Sequence, residues 1–186
     1  MRSIGCGFEH LGGTLMTIES EVKQLRIYSP TAKWMHWGFI AVFAYGVIKQ
    51  VDEVEELEDF TLLMNEVLFT VLFLSILLMR YIYMRTVSAA MPPLNMPRRL
   101  ILLAKIVQQG MYVSLTLIAM TGLAIGGLYC SGVKEGALLE AVLLAHEGVY
   151  WASVNLMGVH IAGALYHRFK GDGVWDAMVP FFKEKA

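Results

Sequence analysis

The chain has 186 residues, 56% of them apolar and only 17% charged, with a formal net charge of −1. A soluble domain averages about 45–50% apolar and about 25% charged residues, so these proportions exclude a disordered chain and argue against a water-soluble globule. The near-zero net charge excludes a nucleic-acid binder built on a basic surplus, and two cysteines, Cys6 and Cys130, exclude a disulfide scaffold or a cysteine-rich zinc site. A polytopic membrane protein remains.

Residues 1–30 form an N-terminal arm of mixed charge, with Gly12 and Gly13 in its middle. Within it, residues 16–28 have the pattern of a short amphipathic helix lying on a membrane surface. His10 has no evident partner there. No apolar run precedes Trp34, so no cleavable signal peptide is expected.

Four apolar blocks follow: Trp34 to Val51, Thr61 to Met84, Leu100 to Tyr129 and Leu138 to Tyr166. Each supplies the ~20 residues that cross a ~30 Å hydrocarbon layer. The third and fourth are longer and should tilt or project beyond the bilayer. Pro92, Pro93 and Pro97 punctuate the loop between the second and third blocks. The expected fold is all-α, a four-helix transmembrane bundle over residues 31–180, with a short tail at 181–186.

Charge sets the expected orientation. Lys23, Arg26 and Lys33 precede the first block, Arg80, Arg85, Arg98, Arg99 and Lys105 surround the second loop, and Arg168 and Lys170 follow the fourth block. The first loop instead carries Asp52, Glu53, Glu55, Glu56, Glu58 and Asp59 against Lys49. Cytoplasmic loops collect Lys and Arg, so both termini are expected in the cytoplasm of a bacterial cell, with Cys6 inside and Cys130 outside. The acidic loop reads as a solvated loop or as a docking site for a basic partner.

Histidine inside a span is costly unless it is paired, hydrogen-bonded or ligating. His36 lies near the start of the first block, and His146 and His160 lie in the fourth with His167 at its end. The spacing of fourteen and then seven residues keeps the last three near one helix face. His160 and His36 share a depth, whereas His146 sits near the opposite surface. Two histidines from different helices at one depth can clamp a haem iron from both sides. Hydrogen-bonded polar contacts or a proton path remain the alternatives. Gly158, Ala162, Gly163 and Ala164 flank His160 and would admit a flat macrocycle or simply close helix packing. No nucleophile, carboxylate dyad or metal-hydrolase cluster appears.

The segment KWMHWGFIA, around His36, resembles the first-helix haem motif of bacterial cytochrome b561 proteins and of the related b-type cytochrome subunits of nickel–iron hydrogenases. The stretch from His146 to Pro180 resembles the same family through its three histidines and the following GDG…MVP. Arg80, Tyr112 and Gly122 add weaker matches. The resemblance covers roughly residues 28–180 and implies a four-helix bundle with two b haems, one in each leaflet. It implies that His36 and His160 ligate the cytoplasmic-side haem, that His146 ligates the outer one, and that His167 lies by the inner haem edge and quinone. Arg80, Arg98 and Arg99 are candidate propionate partners by charge and depth, a weaker inference than the histidine matches.

The chain departs from that pattern at two positions. The expected partner of His146, fourteen residues before Arg80, is Glu66, and the histidine expected four residues before Tyr112 is Gln108. Glu66 could ligate iron as a hard carboxylate, whereas Met64 is turned away by two residues. The outer haem could also be five-coordinate, receive a ligand from a partner subunit, or be absent with Glu66 bonded to His146. The implied function is an inner-membrane b-type cytochrome carrying electrons between quinone and a protein redox partner, with one or two haems b. The alternative is an anchor or assembly subunit of a larger respiratory complex. A haem-free transporter or proton channel is a third reading.

Overall fold

The computed structural model describes residues 28–49, 54–87 and 97–182. The reading of residues 16–28 as a surface helix therefore falls almost wholly outside the described residues, as do His10 and Cys6. Among the described residues the structure is helical, with four long helices: α1 (Pro30–Ile48), α2 (Phe60–Thr86), α3 (Arg98–Cys130) and α4 (Ala137–Lys170). A short α5 (Val174–Met178) follows, and a 3-10 turn (Val54–Glu58) precedes α2.

Local chemistry sets the boundaries. Ser29 caps α1 by accepting from the Ala32 amide at 3.2 Å, and Pro30 occupies the first turn, where its missing N–H costs nothing. α1 therefore starts four residues before the apolar block does. The Asp59 side chain caps α2, accepting from Thr61 N at 2.7 Å and more weakly from Leu62 N. Gly171, at φ 66°, ends α4 in the left-handed conformation, and its amide returns to the His167 and Arg168 carbonyls.

Successive helices run antiparallel. Ser29 Oγ and Tyr83 Oη lie 2.9 Å apart, joining the start of α1 to the end of α2, and Lys49 reaches Glu66 at the other end of the same pair. Gly110 lies against Leu156, and Gly122 against His146, so α3 and α4 pair along much of their length. Each long helix packs on its neighbour in sequence, α3 on α4 most extensively. Among the described residues α1 and α4 make no close backbone contact, nor do α2 and α4.

The buried core is thin and divided between the two ends. Phe39, Phe73, Leu77, Tyr112, Leu115 and Ala119 form one cluster, and Leu63, Ile125, Tyr129 and Leu139 form the other. Large apolar side chains instead cover the outside, among them Leu68, Leu72, Leu78, Leu102, Ile106 and Met120. Such a surface suits a lipid solvent, in which backbone polar groups must be satisfied within helices.

α2 and α3 are long and apolar enough to cross a membrane, with mean hydropathies of 2.2 and 1.8. α1 and α4 are interrupted by His, Trp, Tyr and Gly, and α4 by Glu140, Glu147 and Asn155 as well, which dilutes their hydropathy. Those interruptions include the histidines that the sequence singles out.

Candidate cofactor site

α1 and α4 bring two histidines together without touching through their backbones. The His36 and His160 ring centres lie 6.3 Å apart with an interplanar angle of 78°. An imidazole nitrogen stands about 2 Å from a bound transition metal, and the ring centre lies roughly 1 Å behind it, so a metal shared by two opposed imidazoles sets their centres about 6 Å apart. The observed spacing fits that requirement. His160 is exposed and His36 half-buried. Gly163 lies on the His160 face, three residues on, and a Cβ there would meet nothing within 4 Å. Gly158, two residues before His160, projects roughly 200° away and does not border that face.

Arg80 stands behind His36. Its Nη2 donates to His36 Nδ1 at 2.8 Å, because a guanidinium carries donors only. The cation packs on the rings of Phe39 and Tyr112, 5.8 and 5.6 Å from their centres. Arg80 Nε is buried without a hydrogen-bond partner, and so is the Tyr112 hydroxyl. Buried polar groups are ordinarily satisfied, so this end of the molecule holds unused donors that suit an anionic group. Arg98 and Arg99 are exposed at the start of α3.

The opposite end is built differently. Thr121 Oγ1 donates to the Leu117 and Ile118 carbonyls, at 2.8 and 3.0 Å, so it accepts from His146 Nδ1–H at 2.8 Å. With the hydroxyl hydrogen given to a carbonyl, Nδ1 carries the ring proton and Nε2 keeps its lone pair, the arrangement that orients metal-ligating histidines. Among the described residues no second ligand stands beside it. Glu66 pairs with Lys49, Nζ to Oε1 3.1 Å, and so faces α1. α3 separates α2 from α4 along this edge, and a Glu66–His146 bond is not formed. Met64 is exposed on α2, and Gln108 lies half-buried at the other end of α3. Among the described residues, two imidazoles at the His36 end stand at a spacing that fits a haem, and the His146 end offers one imidazole with no second ligand beside it.

His167 lies two turns beyond His160 and shares a 2.7 Å contact between its Nδ1 and Asp172 Oδ2, with Lys170 Nζ 3.4 Å from the same oxygen. Burial pushes the Asp172 carboxyl up, but the His167 hydrogen bond, the Val174 amide, the His167 charge and Lys170 outweigh it and hold the group below its usual value. At the far end, Cys130 is a free, exposed thiol.

Reading the sequence missed Thr121 and Asp172. The GDG that ends α4 is a signal for Asp172, since an Asp between two turn glycines has its backbone and side chain placed by the turn. Nothing in the sequence marks Thr121, whose role depends on the register between α3 and α4.

No match was found among curated proteins or among solved structures. The family model of prokaryotic cytochrome b561 matches residues 27–181, from two residues before the α1 cap into the segment that follows α5. The chain therefore belongs to the prokaryotic cytochrome b561 family of membrane-bound b-type cytochromes that act in electron transfer.

Proposed function

We propose that residues 31–180 form a four-span inner-membrane cytochrome that holds haem b between His36 and His160 and passes electrons between quinone and a protein redox partner. The observation that carries this reading is the 6.3 Å approach of the two imidazoles across helices whose backbones make no close contact. Both termini lie in the cytoplasm on this reading, which puts the His36 end at the cytoplasmic face, in keeping with the basic residues gathered there.

Haem b would supply reversible one-electron chemistry at iron, and the protein sets its ligation, burial and charge. His36 and His160 would hold it through their ring nitrogens. A neutral imidazole has one lone-pair nitrogen, and in His36 that nitrogen is engaged by Arg80. Ligation through Nε2 therefore requires Arg80 to let go of Nδ1. Its freed guanidinium, with Nε already unpartnered, is then a donor for a carboxylate such as a propionate. His167, held by Asp172 beside the same end, is placed to exchange a proton with a quinone.

A second reading has one observation in its favour. With Glu66 committed to Lys49, the outer end offers His146 alone, which suits an anchor or assembly subunit of a larger respiratory complex with one mainly structural haem. Haem stoichiometry on the purified protein, with reduced spectra of wild type and His160→Ala, tests the proposal. The expected result is a low-spin b-type spectrum that is lost on removing His160. An unchanged spectrum in that variant refutes the ligand assignment.

A further inference from the structure

Among the described contacts between elements, the segment that follows α4 is the one element that touches both helices presenting His36 and His160. That segment is anchored to α4 on one side. Gly171 and Gly173, at φ 66° and 81°, turn the chain back beneath the helix end, a conformation that a side chain at either position would strain. Asp172 between them binds His167 and Lys170. The Arg168 guanidinium sits 4.8 Å from the centre of the Trp175 ring, and Trp175 Nε1 donates to the Phe182 carbonyl at 3.1 Å.

On its other side the segment is tied to α1. Lys33 Nζ donates to the Asp176 carbonyl at 2.7 Å, and Trp37 Nε1 to the Met178 carbonyl at 3.3 Å. The Trp37 ring also packs on Phe181, with centres 4.7 Å apart. Lys33 and Trp37 lie three residues before and one residue after His36. The ties to α1 are therefore made on the turn that presents the ligand.

We infer that residues 171–182 act as a clasp that sets the separation of α1 and α4, and with it the distance at which His36 and His160 share one iron. The inference rests on the haem reading above. Lys33 and Trp37 are positioning residues, acting on His36 through the turn they share with it. The distance matters because low-spin ligation needs both imidazoles at bonding range at once. A separation wider by an ångström leaves one of them off the metal and a coordination position open.

The test uses the holoprotein in detergent, comparing wild type with Lys33→Met, Trp37→Phe and the double variant. Asp172→Asn, which loosens the clasp from its α4 side and leaves α1 untouched, serves as a second route. Two readouts are followed: carbon monoxide binding by the reduced protein, and haem transfer to an excess of apomyoglobin. The expected result is that the double variant binds carbon monoxide and loses haem about tenfold faster than wild type, in line with the loss of two hydrogen bonds. Lys33→Arg, which keeps a donor, restores the wild-type rate. Wild-type rates and no carbon monoxide binding in both the double variant and Asp172→Asn overturn the clasp. A wild-type protein that carries no haem, or a His160→Ala protein with an unaltered spectrum, overturns the haem reading instead, so the two failures are distinguishable.

Discussion

Glu66→Gln separates an ion-pairing role for this carboxylate from an iron-ligating one. The Lys49–Glu66 pair spans 3.1 Å with side chains 36% and 25% exposed. At an effective dielectric of about 20 the Coulomb attraction over that distance is about 5 kcal/mol, before desolvation and side-chain ordering are subtracted. Exposure of a quarter to a third leaves a net contribution of about 1 kcal/mol or less. The amide also keeps an oxygen that can accept from Lys49. The variant should thus unfold, followed by circular dichroism in detergent, within about 4 °C of wild type. Its reduced haem spectrum and haem content should be unchanged, because Glu66 faces α1 and not His146. Lys49→Gln should behave alike, and the double variant should cost less than the two singles together, as a coupled pair does. A shifted spectrum or lost haem in Glu66→Gln, with Lys49→Gln spectrally normal, would refute this account and return the carboxylate to the iron.

Two further predictions concern the other end of the molecule. Gly163→Leu adds bulk on the His160 face where nothing stands within 4 Å, and it replaces glycine in a helix interior, so it should stabilise the apoprotein by up to about 1 kcal/mol. It should at the same time reduce haem incorporation, and full haem content would show that the macrocycle does not approach α4 there. Asp172, held below its usual carboxyl value, contributes stability that is fully present above the unfolded value of about 3.9 and is lost as pH falls through the lower folded value. The Asp172 contribution should therefore persist at about pH 5 and disappear only as pH falls below about 4. Tryptophan fluorescence of wild type against Asp172→Asn checks this, and a difference between the two that vanishes near pH 6 would contradict it.

Much of the helical layout was legible in the residues, because long apolar blocks leave the backbone no other way to satisfy itself. The four blocks correspond to α1–α4 to within a few residues, and the deviations trace to caps. Ser29 and Pro30 start α1 before its apolar residues begin, and Gly171 lets α4 run four residues past Tyr166. Four crossings are a different matter, since only α2 and α3 carry the hydropathy of a span by themselves. The pairing of His36 with His160 was legible because depth follows from helical rise. Side-chain direction was not. Glu66 aligns with a ligand position, yet its partner is set by the reach of Lys49 across the α1–α2 corner, a contact seventeen residues apart that no periodicity encodes. Arg80 likewise matches a propionate partner by charge and depth, while its hydrogen bond goes to His36.

The two ends of the molecule are unequal, and the inequality has a consequence for electron flow. At the His36 end, two neighbouring imidazoles and an arginine and tyrosine with unused donors lie together, and a histidine–carboxylate pair begins two turns further along α4. At the His146 end, one imidazole stands with no second ligand among the described residues, and the carboxylate that could have served is paired with Lys49. An electron carrier that spans a membrane needs a redox centre toward each surface, since one centre near the cytoplasmic face leaves most of the hydrocarbon layer uncrossed. On the proposed reading this chain therefore exchanges electrons at the cytoplasmic side alone, or it crosses the membrane with a centre supplied by another subunit. Haem stoichiometry decides between them and the two-haem arrangement that the sequence resemblance implies: one haem per chain supports the unequal reading, while two would require His146 to find a partner that its described neighbours do not provide.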